Sequence, residues 1–401
     1  MPTLLVLAAG PLQIPAIAAA KRMGLRVVAA DGNPKAPGLA MADAAYVFDI
    51  KDPDACIRVA RKEKIDGVVH VCAEVSMYAM GRINEELGLH GVDPGAAIRA
   101  TNKEKMRRAF EAAGAPSPLS IGAATGAEAI AAAERIGRPL IVKPSRNSGS
   151  RGVTRLGPGE GEKALLSAFE YALRESRDAS AVIEEYVEGP EFSIEILAWD
   201  GRPHVLTVTD KVTTGAPHFV ETGHSEPTLQ PPEAAKAIAD AAVAGVKALG
   251  IDWAAAHAEV KLTSRGPVLM EIGARLGGDF ITTELVPRST GIDMVEGAIN
   301  LALGRVPDLR PRHAPQGASI RYLTPKGGKV VGLSGVEKAK AMPGVKIVVV
   351  DVGPGDQVPE LKSSLCRIGH VIAEGATAAE AIANAEAARD TIRIQTEPAG
   401  S

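Results

Sequence analysis

The sequence predicts a mixed α/β and α+β protein: a doubly wound parallel-sheet unit first, a mainly antiparallel sheet after it, and a closing α+β unit. Three observations predict this order. Over the first hundred residues short apolar runs alternate with helical stretches, the signature of strand–helix–strand units. Past Ala181 the extended segments AVIEEYVEG, PEFSIEILAWDG and HVLTVTDKV follow one another in the manner of an antiparallel sheet. From about Gln316 four new strand-like segments precede a final Ala-rich helix.

In the first unit TLLVLAAG, helix IPAIAAAKRMG and strand RVVAAD open the pattern. AAYVFDI, helix DPDACIRVARKEK, strand DGVVHV and helix VSMYAMGRINEELG continue it to about residue 100. Asp31 closes the second strand, where a dinucleotide enzyme would hold a ribose. The first turn, AAGPLQIP, lacks GxGxxG, so Asp31 reads as a turn residue or a substrate-facing group, and an NAD-dependent oxidoreductase is disfavoured. TNKEKMRRAFEAAG is a charged helix stopped by Gly114, followed by an extended linker at Pro116 and Pro118. Helix GAEAIAAAERIG, strand PLIVKPS, a Gly/Ser loop, strand GVTRL and helix GEKALLSAFEYALRES make a small module. The antiparallel segments lead into a long loop, TTGAPHFVETGHSEPTL, and a helix with Pro at its start and Gly250 at its end. The closing unit has strands ASIRYLT, KVVGLSG, VKIVVVDV and RIGHVIAEG and helix TAAEAIANAEAARDTI.

With 401 residues there is room for two or three domains. A net charge of −3 with 3% aromatic residues argues against a nucleic-acid partner, which needs a basic surface or stacking platforms. Cys56, Cys72 and Cys366 are widely spaced without CxxC, which predicts neither a disulfide framework nor a zinc site and suits a reducing cytoplasm. The N-terminal apolar run reads as a buried strand rather than a signal peptide, and no apolar stretch is long enough for a bilayer, so no membrane partner is expected.

AHAEVKL and PVLMEI flank the turn Thr263-Ser264-Arg265-Gly266, and as arms of a hairpin they bring Glu259 and Glu271 together on one face. Like charges so placed are tolerated when a divalent cation lies between them; an exposed edge hairpin with both glutamates in water is the plainer alternative. Lys143 ends an apolar strand and is followed by Ser145-Arg146-Asn147-Ser148-Gly149-Ser150-Arg151-Gly152, small residues whose backbone N–H groups can approach phosphate. The lysine precedes the glycines and β-type sequence resumes, so this is no Walker A loop; a nucleotide-covering hairpin and a plain surface turn both fit. Glu184-Glu185-Tyr186-Val187, with Glu191 beyond, can offer adenine and ribose contacts or form a solvated acidic strand end.

In this order the motifs resemble the ATP-grasp superfamily over nearly the whole chain. The resemblance implies an N-terminal doubly wound domain at 1–100, an entry helix and lid subdomain at 101–180, the central ATP-grasp domain at 181–315 and a C-terminal α+β module at 316–401. It implies ATP and Mg²⁺ as cofactors, Mn²⁺ being an alternative ion. Lys103 and Lys143 take the role of phosphate lysines, and Ser145, Ser148, Gly149, Ser150 and Gly152 that of the lid. Glu184, Glu185, Tyr186 and Val187 match the adenine hinge, Glu191 the ribose acid, and Glu259 and Glu271 the metal carboxylates. Where many members read E-x-N-x-R, this chain reads Glu271-Ile272-Gly273-Ala274-Arg275, so the asparagine ligand is missing while the arginine stays. Arg275 is placed to stabilise a transferring phosphoryl group; a salt bridge to Asp279 or Glu284 is its structural alternative.

EIGARLGGD and HFVETGH look most like L-amino-acid ligases. That likeness puts Glu221 on a substrate ammonium and His224 as acceptor of the amine proton, against a His224 that merely caps backbone groups. The implied activity is carboxylate–amine ligation through an acyl phosphate, with small-molecule carboxylate and amine substrates and, by resemblance, a homodimer. A purine-biosynthesis or carbamoyl-phosphate-like enzyme, or a nucleotide-binding regulatory protein, are the rival expectations.

Overall fold

The structure is a computed structural model and describes every residue except Ala73, Ser148, Ser150, Pro217 and 399–401. Thr3–Leu7, Arg26–Asp31, Ala44–Val47 and Gly67–Val69 form an all-parallel sheet with the first strand between the second and fourth. Asp31 ends its strand and braces the turns there: its carboxylate accepts the N–H groups of Ala9 and Asn33, each at 2.7 Å.

Helix Lys103–Ala112 buries Lys103, Met106, Arg107 and Phe110, the i, i+3, i+4, i+7 stripe of one face. Two of those four side chains are cations. Asn102 caps the helix by accepting the Lys105 N–H at 2.9 Å, and the Lys103 N–H donates to the Ser145 carbonyl at 2.8 Å. This ties the helix start to the end of the Lys143 strand.

The small module is a four-stranded antiparallel sheet in the order Ser120–Ala123, Ala181–Glu185, Leu140–Pro144, Thr154–Leu156. Helices Gly126–Ile136 and Glu162–Glu175 supply the rest of its core. Its first strand lies in the stretch expected as linker, and Ala181–Glu185, expected in the next domain, is a central strand of this sheet.

The large sheet has eight strands. Gly266–Gly273, Ala254–Thr263, Glu191–Trp199, Arg202–Thr213 and Glu221–Glu226 lead on to Gly317–Tyr322, Gly369–Gly375 and Val345–Val350. Alternation makes it two-faced: Phe192, Ile194 and Ile196 with Ala256, Ala258 and Val260 pack in the same core as helix Pro232–Leu249. The intervening residues, Glu191, Ser193 and Glu195 with His257, Glu259 and Lys261, share the opposite face and are polar.

Two expectations change here. The segment from residue 316, read as a separate unit, donates three strands to this continuous sheet and keeps only the small sheet of Gly328–Ser334, Gln357–Val358 and Arg393–Glu397 to itself. The loop carrying Glu221 and His224 is in its second half a strand, paired to Arg202–Thr213 on one side and to Gly317–Tyr322 on the other. ETGHSE has no apolar side chain to alternate, so its sequence alone carries no strand signal.

Unbroken pairing from the turn would set Glu259 opposite Met270. A register shift between Glu259 and Val260 skips that residue and sets Glu259 opposite Glu271. The bulge therefore puts both glutamates on the polar face. Among the described residues no helix is long and apolar enough to cross a membrane.

Candidate active site

The polar face of the large sheet and the sheet of the small module enclose a chamber of about 240 Å³. Lys103, Lys143, Glu184, Glu185, Tyr186, Val187, Glu191, Glu221, Glu259, Glu271 and Arg275 all line it, as does Gly149 of the loop. Three of its lysines are already paired with acids. Lys103 lies 3.0 Å from Glu271 and 3.0 Å from the Asn147 carbonyl. Lys143 lies 2.5 Å from Glu184, and Lys211 2.5 Å from Glu191 and 2.9 Å from Glu259. Burial opposes the Lys103 charge, but the carboxylates of Glu271 and Glu74 outweigh it and raise the pKa.

Glu184 is buried between Lys143 and Arg107, whose Nε donates at 2.9 Å; burial alone would raise its pKa, yet the two cations hold it at about 2. Its side chain is thus an internal counter-ion. Beside it, the Glu185 N–H donates to the Leu119 carbonyl and the Tyr186 N–H to that of Pro139, which fixes the strand end; Val187 lends its carbonyl to Lys261 at 3.2 Å. The Tyr186 ring lies under Arg155, 4.4 Å from its guanidinium carbon.

Ser145 departs from its expected role. Its hydroxyl is fully buried, bonded to Asp178 and 2.6 Å from the Ser180 hydroxyl, so it braces the loop and faces away from the chamber. Gly152 is also needed for the loop's shape, since at φ +77° a Cβ there would meet Pro144 at 2.6 Å. Ser148 and Ser150 lie outside the described residues.

Glu259 and Glu271 are half-buried and open to the chamber. Desolvation disfavours the Glu259 carboxylate, but Lys211 and His257 hold its pKa well below the carboxylate range. Two carboxylate oxygens on one face, next to lysines able to hold phosphates, fit Mg²⁺, which binds through one or two carboxylates plus substrate phosphates. Among the described residues no cluster of three or more His, Cys, Asp and Glu would hold a metal on its own. The donor set thus needs a phosphate to complete it.

Arg275 pairs with neither Asp279 nor Glu284. Its guanidinium donates to Glu74 of the N-terminal unit at 3.1 Å and to the Leu276 carbonyl at 3.1 Å, and its Nε has no partner among the described residues. Gly273 makes room for it: a Cβ there would stand 3.1 Å from the Arg275 Cγ and 3.2 Å from its Nε. The absence of a side chain at 273 and the position of Arg275 are one feature.

A second chamber of about 180 Å³ shares Glu221, Lys211, His257, Glu259 and Arg275 with the first and continues to Cys72, His224, Asp279 and Ser364. His224 is buried, its Nε2 3.2 Å from Asp279, its Nδ1 without a partner among the described residues. Glu221 lies 3.9 Å from Lys211, and its carbonyl accepts from Arg367 at 3.3 Å. Arg367 also grips Asp279 with two bonds of 2.7 Å and lies over the Tyr322 ring. The His257 Nδ1 is 2.5 Å from Glu195; burial lowers the His257 pKa, but Glu195 more than offsets this and lifts it to about 9.

Sequence reasoning missed Arg107, Glu74, and Asp279 as a chamber residue. The first was detectable, as an arginine in the buried stripe of an amphipathic helix four residues from Lys103. For Glu74, 201 positions from Arg275, there is no local signal.

A family model described as an ATP-grasp domain matches residues 136–284, and one described as L-amino acid ligase C-terminal domain 2 matches residues 321–397. An uncharacterized protein of Sinorhizobium fredii is 30% identical over 79% of this chain and 65% of its own length. The alanine–anticapsin ligase of Bacillus subtilis is 31% identical over 59% of this chain and 54% of its own length. The chain thus spans between about half and two thirds of these relatives. The crystal structure of an L-amino acid ligase from Bacillus licheniformis superposes with a TM-score of 0.83 at 22% identity, covering 99% of both chains, which establishes a shared fold.

Proposed function

Since the chain belongs to the ATP-grasp superfamily, we propose that it is an ATP- and Mg²⁺-dependent carboxylate–amine ligase that joins an amino acid to an amine or a second amino acid. The observation that carries this reading is the common wall of the two chambers: Arg275, Glu259 and Lys211 border both, so a phosphate and an acceptor group meet at these side chains. A substrate carboxylate oxygen attacks the terminal phosphorus of ATP, ADP leaves, and an acyl phosphate forms. The amine nitrogen then attacks the acyl carbon, inorganic phosphate leaves, and an amide remains.

In this scheme Lys103 and Lys143 exchange their glutamates for phosphate oxygens. Glu259 and Glu271 would hold Mg²⁺, or Mn²⁺, which when bound supplies charge neutralisation on the phosphates. Arg275, held by Glu74, faces the charge that develops on the transferred group. Glu221 holds the substrate ammonium. His224, with Asp279 on its Nε2, accepts the proton that the amine sheds. Most of the rate enhancement comes from positioning and from exclusion of water around the acyl phosphate. Two small-molecule substrates and three free thiols, Cys56, Cys72 and Cys366, suit a cytoplasmic enzyme.

Hydroxylamine tests the intermediate. With ATP, Mg²⁺ and a panel of L-amino acids, hydroxylamine in place of the amine should yield the hydroxamate of the carboxylate substrate. ADP formation without hydroxamate would contradict an acyl phosphate open to amines.

A further inference from the structure

On the other side of the Arg367–Asp279 pair lies a groove of about 410 Å³ that takes no part in the scheme of phosphoryl transfer and amine attack. It is walled by rings: Phe280 and His370 have centroids 4.5 Å apart, and Tyr322 stands edge-on to His370 at 6.1 Å. Half-buried Ile347 and Val349 form an apolar side, and Glu284, Asp351 and Arg367 complete the lining. His370 is more than nine-tenths buried, lines the groove and has no hydrogen-bond partner among the described residues.

The backbone between chamber and groove is strained. Asp279 and Phe280 have φ of +54° and +62°, two consecutive non-glycine residues in the left-handed region. The consequence is a division of labour: the Asp279 side chain lines the second chamber and the Phe280 side chain lines the groove. Such strain persists where surrounding contacts hold it, here the twin bonds from Arg367. Ser364 borders both spaces, and Arg367, 3.8 Å from the Tyr322 ring centre, forms the partition.

We propose that this groove receives the side chain of the amine substrate, and that this side chain is bulky and apolar, by preference aromatic. The proposal rests on the ligase reading. The carboxylate to be phosphorylated must stand where the two chambers overlap, beside Arg275. The end at Asp279 and Ser364 shares no residue with the nucleotide chamber and borders the groove through Ser364, so it belongs to the reactant that arrives second. A ring there buries a large apolar area and meets Phe280, Tyr322 and His370 in edge or offset contact.

L-phenylalaninamide and glycinamide have blocked carboxylates and can act only as amines. Calorimetric titration into the protein with Mg²⁺ and a non-hydrolysable ATP analogue should show L-phenylalaninamide binding about tenfold or more tighter. Val349→Trp and Ile347→Trp, each filling the groove from its side wall, should reduce that ratio to near unity. The wild-type protein gives a check without substitution: His370 ring-proton resonances should move with L-phenylalaninamide and stay in place with glycinamide. Equal affinity for the two amides, a ratio that survives both tryptophans, or an unmoved His370 would overturn the proposal. Amine-dependent phosphate release separates the two levels: if it persists while the preference is absent, only the groove assignment falls; if it is absent for every amine, the ligase reading falls with it.

Discussion

The two chambers share a wall but are built differently. In the first chamber the charges sit on regular elements, Lys103 on a helix start and Lys143, Lys211, Glu259 and Glu271 on strands, each of these lysines already matched with glutamate. A metal–phosphate pair can enter by exchange, the cation replacing lysine on the carboxylates and phosphate replacing carboxylate on the lysines, with little change in local charge. The second chamber is assembled from segments far apart in sequence: Cys72, Glu221 to His224, Asp279, and Ser364 with Arg367 behind it. In the proposed scheme the difference separates a generic anion site, carried by regular elements, from a selective site, which depends on how several units meet.

The largest expected effect is in the shared machinery. Glu271→Gln removes a carboxylate from the metal pair and a partner from Lys103, and amine-dependent ADP release should fall by roughly 10²–10³-fold; normal turnover would refute the metal assignment. Glu74→Gln should be milder. Glu74 acts through Arg275, so the loss should be about tenfold or more in kcat with nucleotide KM little changed, and Glu74→Asp should recover part of it. A change confined to KM would remove Glu74 from a positioning role.

In the second chamber Asp279→Asn leaves Arg367 without its anion and weakens the hold on His224. Amine KM should rise about tenfold while the ATP dependence stays near that of the wild type, as expected of a residue that only one reactant meets. An equal shift for both substrates would merge the two chambers into one functional unit.

The smallest effect concerns stability. Glu226 is fully buried with hydroxyl partners Thr209 at 2.8 Å and Ser289 at 2.6 Å; burial raises its pKa to about 8. The folded form therefore keeps a proton that the unfolded chain releases near its ordinary value of 4.5. The stability this contributes is complete below 4.5, declines as pH rises and is gone above about 8. Glu226→Gln, neutral throughout, should melt near the wild type at about pH 5 and above it at about pH 9. Parallel melting curves across that range would show that Glu226 is ionised in the fold.

The same contrast decides what the sequence reveals. The strand–helix alternation of the N-terminal unit, the lysine before the Gly/Ser loop and the two glutamates flanking a turn are local patterns, and local patterns are legible. Even so, the pairing of Glu259 with Glu271 depends on a bulge that no residue type announces. Ser145 carries the composition of a phosphate loop but spends its hydroxyl on Asp178. Glu74 on Arg275, and Arg367 on Asp279, join residues 201 and 88 positions apart. Nothing short of the folded chain brings them together. The merging of the C-terminal strands into the central sheet is equally non-local, since edge pairing follows from which strand is left open.

Phosphate release from ATP over a matrix of L-amino-acid carboxylates and amines, each reactant omitted in turn, decides whether the protein is a ligase. Release that requires both reactants, with one phosphate for each amide formed, is the predicted result. Release at the same rate without amine, or none in any combination while ATP still binds, would contradict it.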